Sequence, residues 1–367
     1  MKTARPLAWP AFDRSTDKAV LDILHSGRVN YWTGERGRAF EAAFAEYVGV
    51  RRALAVANGS LALELALQAL GVGAGDEVVV TPYSFRASAT SAARVGAKMV
   101  FADVGEDHLL NAKTIKKVMT KRTKAIIIVH LYGQVVDLSP ILALAKKRNV
   151  FVVEDCAQCL GGEYRGRKVG TLGDVGCYSF CQSKHITTGG EGGMIVAKRA
   201  SVLKRVESLR DHGWIVGSEP KRFDLVGTNA RMTEIQAAIG LGELKRFESW
   251  NLPRRRRLAA ELMRALSNHP LVRLAPIDTA HRRASFWLMP FVLRSELLAC
   301  PISTFIERLQ AEGALVYKIM WPLMASLPVA TSLIPDTIGF WVHPTYTIGA
   351  IRRTIAIFER VYASTKL

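Results

Sequence analysis

Between residues 53 and 200 the chain alternates short, continuous apolar runs with longer stretches whose apolar residues recur at helical spacing. No other feature narrows the possible folds as far. The runs at 78–81, 99–102, 125–129 and 150–153 are apolar without alternation, as strands covered on both faces must be. The stretches between them, 61–70, 85–95, 112–119 and 138–147, carry the period of amphipathic helices. Strand–helix units repeated in this way predict an α/β domain with a mostly parallel sheet flanked by helices.

Downstream, 192–197 reads as one more strand, and 232–250 as a long helix that stops just before Pro253. A helical pattern then follows Arg254-Arg255-Arg256-Arg257, with a strand expected at 286–292 and helices at 302–312 and 348–362. That order suits a smaller α+β domain. With 367 residues, 49% of them hydrophobic, the chain is long enough for two domains: a large one over 1–250 that includes the amino-terminal segment, and a small carboxy-terminal one over 251–367. It has no internal repeat and no long Gly/Ser linker, so the two are expected to pack together.

Lys and Arg total 50 against 32 Asp and Glu, a net charge of +18. Such an excess suits an anionic partner, whether nucleic acid, a membrane surface or a phosphorylated small molecule. The amino terminus lacks the apolar core of an export signal, and the apolar stretch 61–72 is interrupted by Glu64 and Gln68 and too short to cross a bilayer. A cytoplasmic protein without membrane contact is expected. Five cysteines, an odd number at low density, fit a reducing compartment. Cys156 with Cys159 and Cys177 with Cys181 resemble two halves of a zinc ribbon, but the second pair is spread over an expected strand. Packed thiols and no metal are the expectation.

Chemistry concentrates in three places. The run Val152-Val153-Glu154-Asp155 ends a strand on a carboxylate, with Gln158 three positions on, and ligands of open parallel sheets bind beside such strand ends. Twenty-nine residues after Asp155 comes Lys184, between a β-rich run and the glycine-rich Gly189-Gly190-Glu191-Gly192-Gly193. A lysine beside backbone that a bulky ring can approach suits an imine-forming cofactor, and the strand-end Asp suits a pyridinium nitrogen. Upstream, Asn58-Gly59-Ser60 turns a short strand into a helix, and its N–H groups with the Ser60 hydroxyl make an anion site suited to phosphate.

From about residue 27 to 240 the chain resembles the DegT/DnrJ/StrS sugar aminotransferases, of fold type I among the pyridoxal phosphate enzymes. The resemblance rests on Asn58-Gly59-Ser60, Gly75-Asp76-Glu77-Val78, Thr81-Pro82-Tyr83-Ser84-Phe85 and Glu154-Asp155-Cys156-Ala157-Gln158. It extends through Ser179-Phe180 before Lys184, Glu191-Gly192-Gly193, and Gly227-Thr228-Asn229-Ala230-Arg231-Met232 ahead of Ile235-Gln236-Ala237-Ala238. It implies an aspartate aminotransferase-like large domain and pyridoxal 5'-phosphate as cofactor. Lys184 matches the Schiff-base lysine, Asp155 the partner of the pyridine nitrogen, Gln158 the amide beside the phenolic oxygen and Phe85 the aromatic stacked on the ring. Gly59, Ser60 and Ser179 match the phosphate cradle, and Asn229 a residue reaching the phosphate from a neighbouring subunit, which implies a homodimer with shared sites. The implied reaction moves an amino group from L-glutamate or glutamine to a keto-sugar, a nucleotide-linked keto-deoxyhexose or a related keto-sugar acid, in amino-sugar and polysaccharide biosynthesis.

A dehydratase branch of the family has histidine where the lysine stands; here Lys184 is followed directly by His185, and the anchors on both sides favour Lys184. The doubled Gly189-Gly190 resembles a branch that aminates a keto-octulosonate, and would reshape the acceptor pocket. Trp321-Pro322-Leu323 and His343-Pro344-Thr345 depart from the family pattern where acceptor-side segments are expected. Arg28, Tyr31, Trp32 and His185 are candidate substrate contacts. From a different class, a basic DNA-binding regulator would use the arginine run, but no helix-turn-helix, RNA-binding or zinc-finger pattern accompanies it.

Overall fold

The computed structural model describes residues 9–276, 278–319 and 323–367. Its strands, in chain order, are β1 (Ala53–Val56), β2 (Glu77–Val80), β3 (Lys98–Phe101), β4 (Thr123–Val129), β5 (Phe151–Asp155), β6 (Glu163–Tyr164), β7 (Arg167–Lys168), β8 (Val175–Ser179), β9 (Gly193–Ala197), β10 (Val272–Leu274), β11 (Arg282–Arg283), β12 (Leu288–Leu293), β13 (Val316–Lys318) and β14 (Thr337–Trp341). The helices are α1 (Arg14–Ser26), α2 (Arg36–Val48), α3 (Gly59–Ala69), α4 (Ala87–Arg94), α5 (Ala112–Val118), α6 (Leu138–Arg148), α7 (Ala200–Arg210), α8 (Glu234–Lys245), α9 (Leu252–Leu266), α10 (Ile302–Ala311), α11 (Pro328–Leu333) and α12 (Ile348–Thr365).

Seven strands form the main sheet in the order β1-β9-β8-β5-β4-β2-β3. The pairs from β8 through β5, β4 and β2 to β3 are parallel, whereas β9 runs antiparallel to both β1 and β8. The carboxyl ends of β1, β2, β5 and β8 therefore share one edge. The strands are buried along most of their length: every residue of β1, β2 and β9 up to Val196 is buried, as are Val152 to Asp155 of β5. A second sheet, β10-β12-β14-β13, is antiparallel throughout, and β11-β6-β7 form a small third one.

The expected helix break before Pro253 does not occur. After α8 the path continues through a π-helical turn, Phe247–Asn251, directly into α9. Pro253 lies in the first turn of α9, where its missing N–H costs no bond. Apolar packing changes over along this helix: Leu252 belongs to the core around the main sheet, and Leu258 to a second core with Phe291, Phe305, Phe340 and Phe358. Trp287, Leu288 and Ile319 nevertheless pack into the first core, so the antiparallel sheet is joined to the main one by buried contacts. Among the described residues no helix is long and apolar enough to cross a membrane.

Candidate active site

The strand ends on the shared edge open onto a cavity of about 670 Å³, within the range of small-molecule sites. Its walls include Asn58, Gly59 and Ser60, Phe85 and Ser88, Asp155 and Gln158, Ser179, Lys184 and Glu191. Each arrives by a local rule of the fold.

Asp155 closes β5, and the pleat sends it and Glu154 to opposite faces. Glu154 is consumed structurally: Oε1 accepts from the N–H groups of Leu172 (2.8 Å) and Gly173 (2.6 Å), and Oε2 from Gly170 (2.8 Å) and His130 Nε2 (3.1 Å). Asp155, in contrast, lines the cavity. Its Oδ2 accepts from Ser88 Oγ at 2.7 Å and its Oδ1 from the Ala157 N–H at 3.1 Å. Burial raises its pKa, and these two donors and the charge of Lys184 pull the other way. Gln158 Oε1 accepts from the Tyr132 N–H at 2.9 Å, which leaves the amide NH2 as the end it can present to a ligand.

The β1–α3 turn supplies the second wall. Asn58 caps α3, its Oδ1 accepting from the Leu61 N–H at 2.9 Å, so Gly59 and Ser60 form the helix's first turn at the cavity. Gly59 is required by packing: a Cβ there would stand 2.7 Å from Ser179 Cβ at the end of β8. Residues with this close approach, at the start of an eleven-residue helix, suit an anion.

Lys184 occupies the irregular segment between β8 and β9. Its Nζ lies 4.7 Å from the centroid of the Trp287 ring. Burial lowers the lysine's pKa, opposed by the charges of Asp155 and Glu191. The shift is toward the neutral amine, the form that is a nucleophile and a base. Trp287, Tyr317 and Trp341, brought from the antiparallel sheet, complete an aromatic wall; Trp341 stands 6.0 Å from Trp287 and 5.1 Å from Tyr317, ring to ring.

The remaining candidates lie elsewhere. His185, adjacent to the lysine, is buried behind the cavity, its Nε2 3.3 Å from the Ser285 carbonyl. The side chain lining the cavity at this point is thus Lys184 and not its histidine neighbour. Tyr31 is buried with its hydroxyl on Glu41 at 2.9 Å and Arg210 over its ring, Trp32 packs on Trp214, and Arg28 is exposed. None of the three lines this cavity. Asn229 is exposed and bridges to Asp211. Gly189 and Gly190, with φ of +88° and +140°, fold the loop back onto Cys181 and do not line the cavity either. Trp321 and Pro322 fall outside the described residues. His343 packs between Trp341 and Tyr346.

Ser88, Trp287, Tyr317 and Trp341 are among the wall residues that the sequence did not single out. A serine in the small-residue run Ala87-Ser88-Ala89 carries no signal of its own, whereas a tryptophan opening an expected strand, such as Trp287, could have been flagged.

Among the described residues the cysteines form no group of three with the spacing that a metal ion needs. Cys156 points to the Glu154 carbonyl, Cys159 to that of Gly133 and Cys177 to that of Ala62. Among the described residues the cluster nearest to a metal site is His130, Glu154 and Cys156. It is already satisfied, because His130 Nδ1 accepts from Val136 while Nε2 donates to Glu154. The arginine run is not one continuous solvated patch. Arg254 donates to the Pro344 carbonyl, Arg255 is buried on Asn251, Arg256 donates to the Ala284 and Gly161 carbonyls, and Arg257 is exposed.

The model of the DegT/DnrJ/EryC1/StrS aminotransferase family matches residues 10–337. The chain is 36% identical over 372 residues to the GDP-perosamine synthase of Caulobacter vibrioides, covering 97% of each protein. It is 42% identical over 230 residues to a UDP-N-acetyl-3-dehydro-alpha-D-glucosamine 3-aminotransferase of Acidithiobacillus ferrooxidans, covering 62% of this chain and 61% of that one. The X-ray structure of an aminotransferase from Psychrobacter cryohalolentis superposes with a TM-score of 0.93 at 35% identity, over 98% of this chain and 99% of the other.

Proposed function

Because the chain belongs to the DegT/DnrJ/EryC1/StrS aminotransferase family, with the fold type I architecture of these pyridoxal phosphate-dependent sugar aminotransferases, we propose that the described cavity transfers an amino group from L-glutamate or L-glutamine to a keto-sugar. The observation that carries this reading is the convergence of Lys184 and Asp155 on one cavity beside the α3 amino terminus. In our reading the acceptor is a nucleotide-linked keto-deoxyhexose or a related keto-sugar acid; the nucleotide-linked sugars in the names of relatives at 36% and 42% identity support the first of these.

The residues fit the cofactor. Gly59, Ser60 and Ser179 would hold the phosphate, since the missing Cβ of Gly59 leaves helix and strand ends in contact and the first-turn N–H groups suit an anion. Phe85, 56% exposed at the cavity, offers a ring face for stacking. When bound, pyridoxal phosphate supplies an aldehyde that condenses with amines and a ring that accepts the electron pair released at the donor's Cα.

Asp155 would keep a proton on the ring nitrogen. Its carboxylate is fixed in direction by Ser88 and Ala157, and its buried charge is best offset by a cation facing it. Lys184 Nζ would be the amine that holds the aldehyde and, once the donor's own amine has displaced it, the free base placed to take the proton from Cα of the donor. Its lowered pKa serves both tasks, because only the neutral amine attacks a carbonyl or accepts a proton. The wall of Trp287, Tyr317 and Trp341 suits the apolar face of a sugar ring.

We place the working unit as a homodimer. Asn229 lies exposed outside its own cavity, and the same loop carries exposed Phe223 (60%) and Val226 (96%), apolar surface that a second copy would cover. A cytoplasmic setting accords with the buried free thiols.

The decisive experiment is an absorbance spectrum of protein loaded with pyridoxal phosphate, before and after L-glutamate, with Lys184→Ala alongside. A visible band that disappears on adding glutamate in the wild type alone supports the reading. A protein that takes up no cofactor, or a Lys184→Ala variant that responds like the wild type, overturns it.

A further inference from the structure

Lys184 itself lies in neither helix nor strand, yet its segment is largely withdrawn from water. Backbone carbonyls in such a place need donors. Three consecutive ones receive them from side chains: Ser183 O from Trp287 Nε1 at 2.6 Å, Lys184 O from Trp9 Nε1 at 3.1 Å, and His185 O from Asn251 Nδ2 at 2.5 Å. The donors come from three separate regions, the start of β12, the segment before α1 and the π-helical turn ahead of α9.

Asn251 has its orientation imposed. Arg255 Nε donates to its Oδ1 at 2.8 Å, so the amide must turn its NH2 toward His185. The same guanidinium, fully buried, stands 5.3 Å from the Trp9 ring, which links two of the three clamps. Trp287 acts at both ends of the lysine, holding the preceding carbonyl and placing its ring 4.7 Å from Nζ.

A lysine side chain has four rotatable bonds, so the reach of its amine is defined only when its main-chain origin is held. Misplacement by 1 Å in a reacting group can cost about 100-fold in rate. We propose that Trp9 and Asn251, the latter aimed by Arg255, are positioning residues that fix the backbone of Lys184 and so aim its amine into the cavity. The inference rests on the assignment of Lys184 as the reacting amine.

Two variants separate positioning from mere support of the fold. Trp9→Phe keeps a ring against Arg255 and His343 but removes the N–H. Asn251→Asp keeps the size of the side chain and gives Arg255 a carboxylate partner while leaving the His185 carbonyl without its donor. Each would be loaded with pyridoxal phosphate and compared with wild type by thermal midpoint, by the pH midpoint of the bound cofactor's visible absorbance, and by steady-state kinetics.

The expected result is a displaced pH midpoint in both variants and kcat lowered about 10-fold, with the KM for L-glutamate within about two-fold of wild type. Wild-type pH midpoint and kcat in both variants, or losses that only follow the thermal midpoint, would overturn the proposal. Lys184→Ala serves as the reference. If it still responds to glutamate, the function assigned to the cavity fails; if it does not respond while Trp9→Phe behaves as wild type, only the positioning role fails.

Discussion

The Ser88 hydroxyl donates to Oδ2 of Asp155 at 2.7 Å, tying the first turn of α4 to the end of β5. This bond and the Ala157 N–H engage both carboxylate oxygens, so a group whose pKa burial drives upward is kept closer to its charged form. Ser88→Ala should let the pKa rise further and weaken the hold on a protonated ring nitrogen. A fall in kcat of about 10-fold, with the KM for L-glutamate little changed, is expected from loss of one charge-assisted bond. Asp155→Asn removes the charge altogether and should cost about 100- to 1000-fold. Equal activity of Ser88→Ala and wild type would show that Asp155 needs no such support.

Gly59 faces Ser179 with no room for a side chain. Gly59→Ala must push the start of α3 from the end of β8, at a cost of roughly 1–3 kcal/mol. A lowered thermal midpoint together with faster loss of pyridoxal phosphate on dialysis is expected. If the protein loosens but retains the cofactor as wild type does, the helix start is not the phosphate site.

Trp341 belongs to the aromatic wall of the cavity, beside Trp287 and Tyr317, and takes no part in the bond between Ser88 and Asp155. Trp341→Ala should raise the KM for the keto-sugar about 10-fold and leave the single-turnover reaction with L-glutamate intact. An equal loss in both half-reactions would mean that the wall supports the site instead of reading the acceptor.

His108 is buried against Tyr83, with Nε2 3.0 Å from Thr337 Oγ1 of β14. Burial holds its pKa at about 4, below the ordinary 6.5. The unfolded chain therefore binds a proton that the folded one refuses, so stability is full above about pH 6.5 and falls as pH drops toward 4. The shift corresponds to on the order of 3 kcal/mol across that window. His185 and His343 are lowered by burial in the same sense, so His108→Asn should flatten the acid limb of stability without abolishing it. Urea unfolding between pH 7 and 4 reads this directly, and an unchanged slope would rule His108 out as a contributor.

Several features were legible in the chain because they are local. The strands predicted at 125–129 and 150–153 and the helix at 112–119 lie within a few residues of β4, β5 and α5, since buried parallel strands must be apolar throughout. The break expected at Pro253 failed because a proline is tolerated in a first helical turn, and which turn it occupies depends on the π-helical turn before it. The arginine run read as one charged patch, yet consecutive helix positions point about a quarter-turn or more apart, which sends Arg255 into the core and Arg257 to solvent.

Asp155, Gln158, Gly59, Ser60 and Lys184 could be picked out from sequence because a strand end, a helix cap and a glycine-rich turn are written in a handful of neighbouring residues. The sequence by itself determined the α/β core and these strand-edge groups. Tertiary structure alone decided that Ser88 reaches Asp155 across 67 residues, that Trp287 and Trp9 clamp the lysine segment across 104 and 175, and that His185 turns away from the cavity. Such contacts arise when separately folded faces pack, and no periodicity along the chain encodes which side chains then meet.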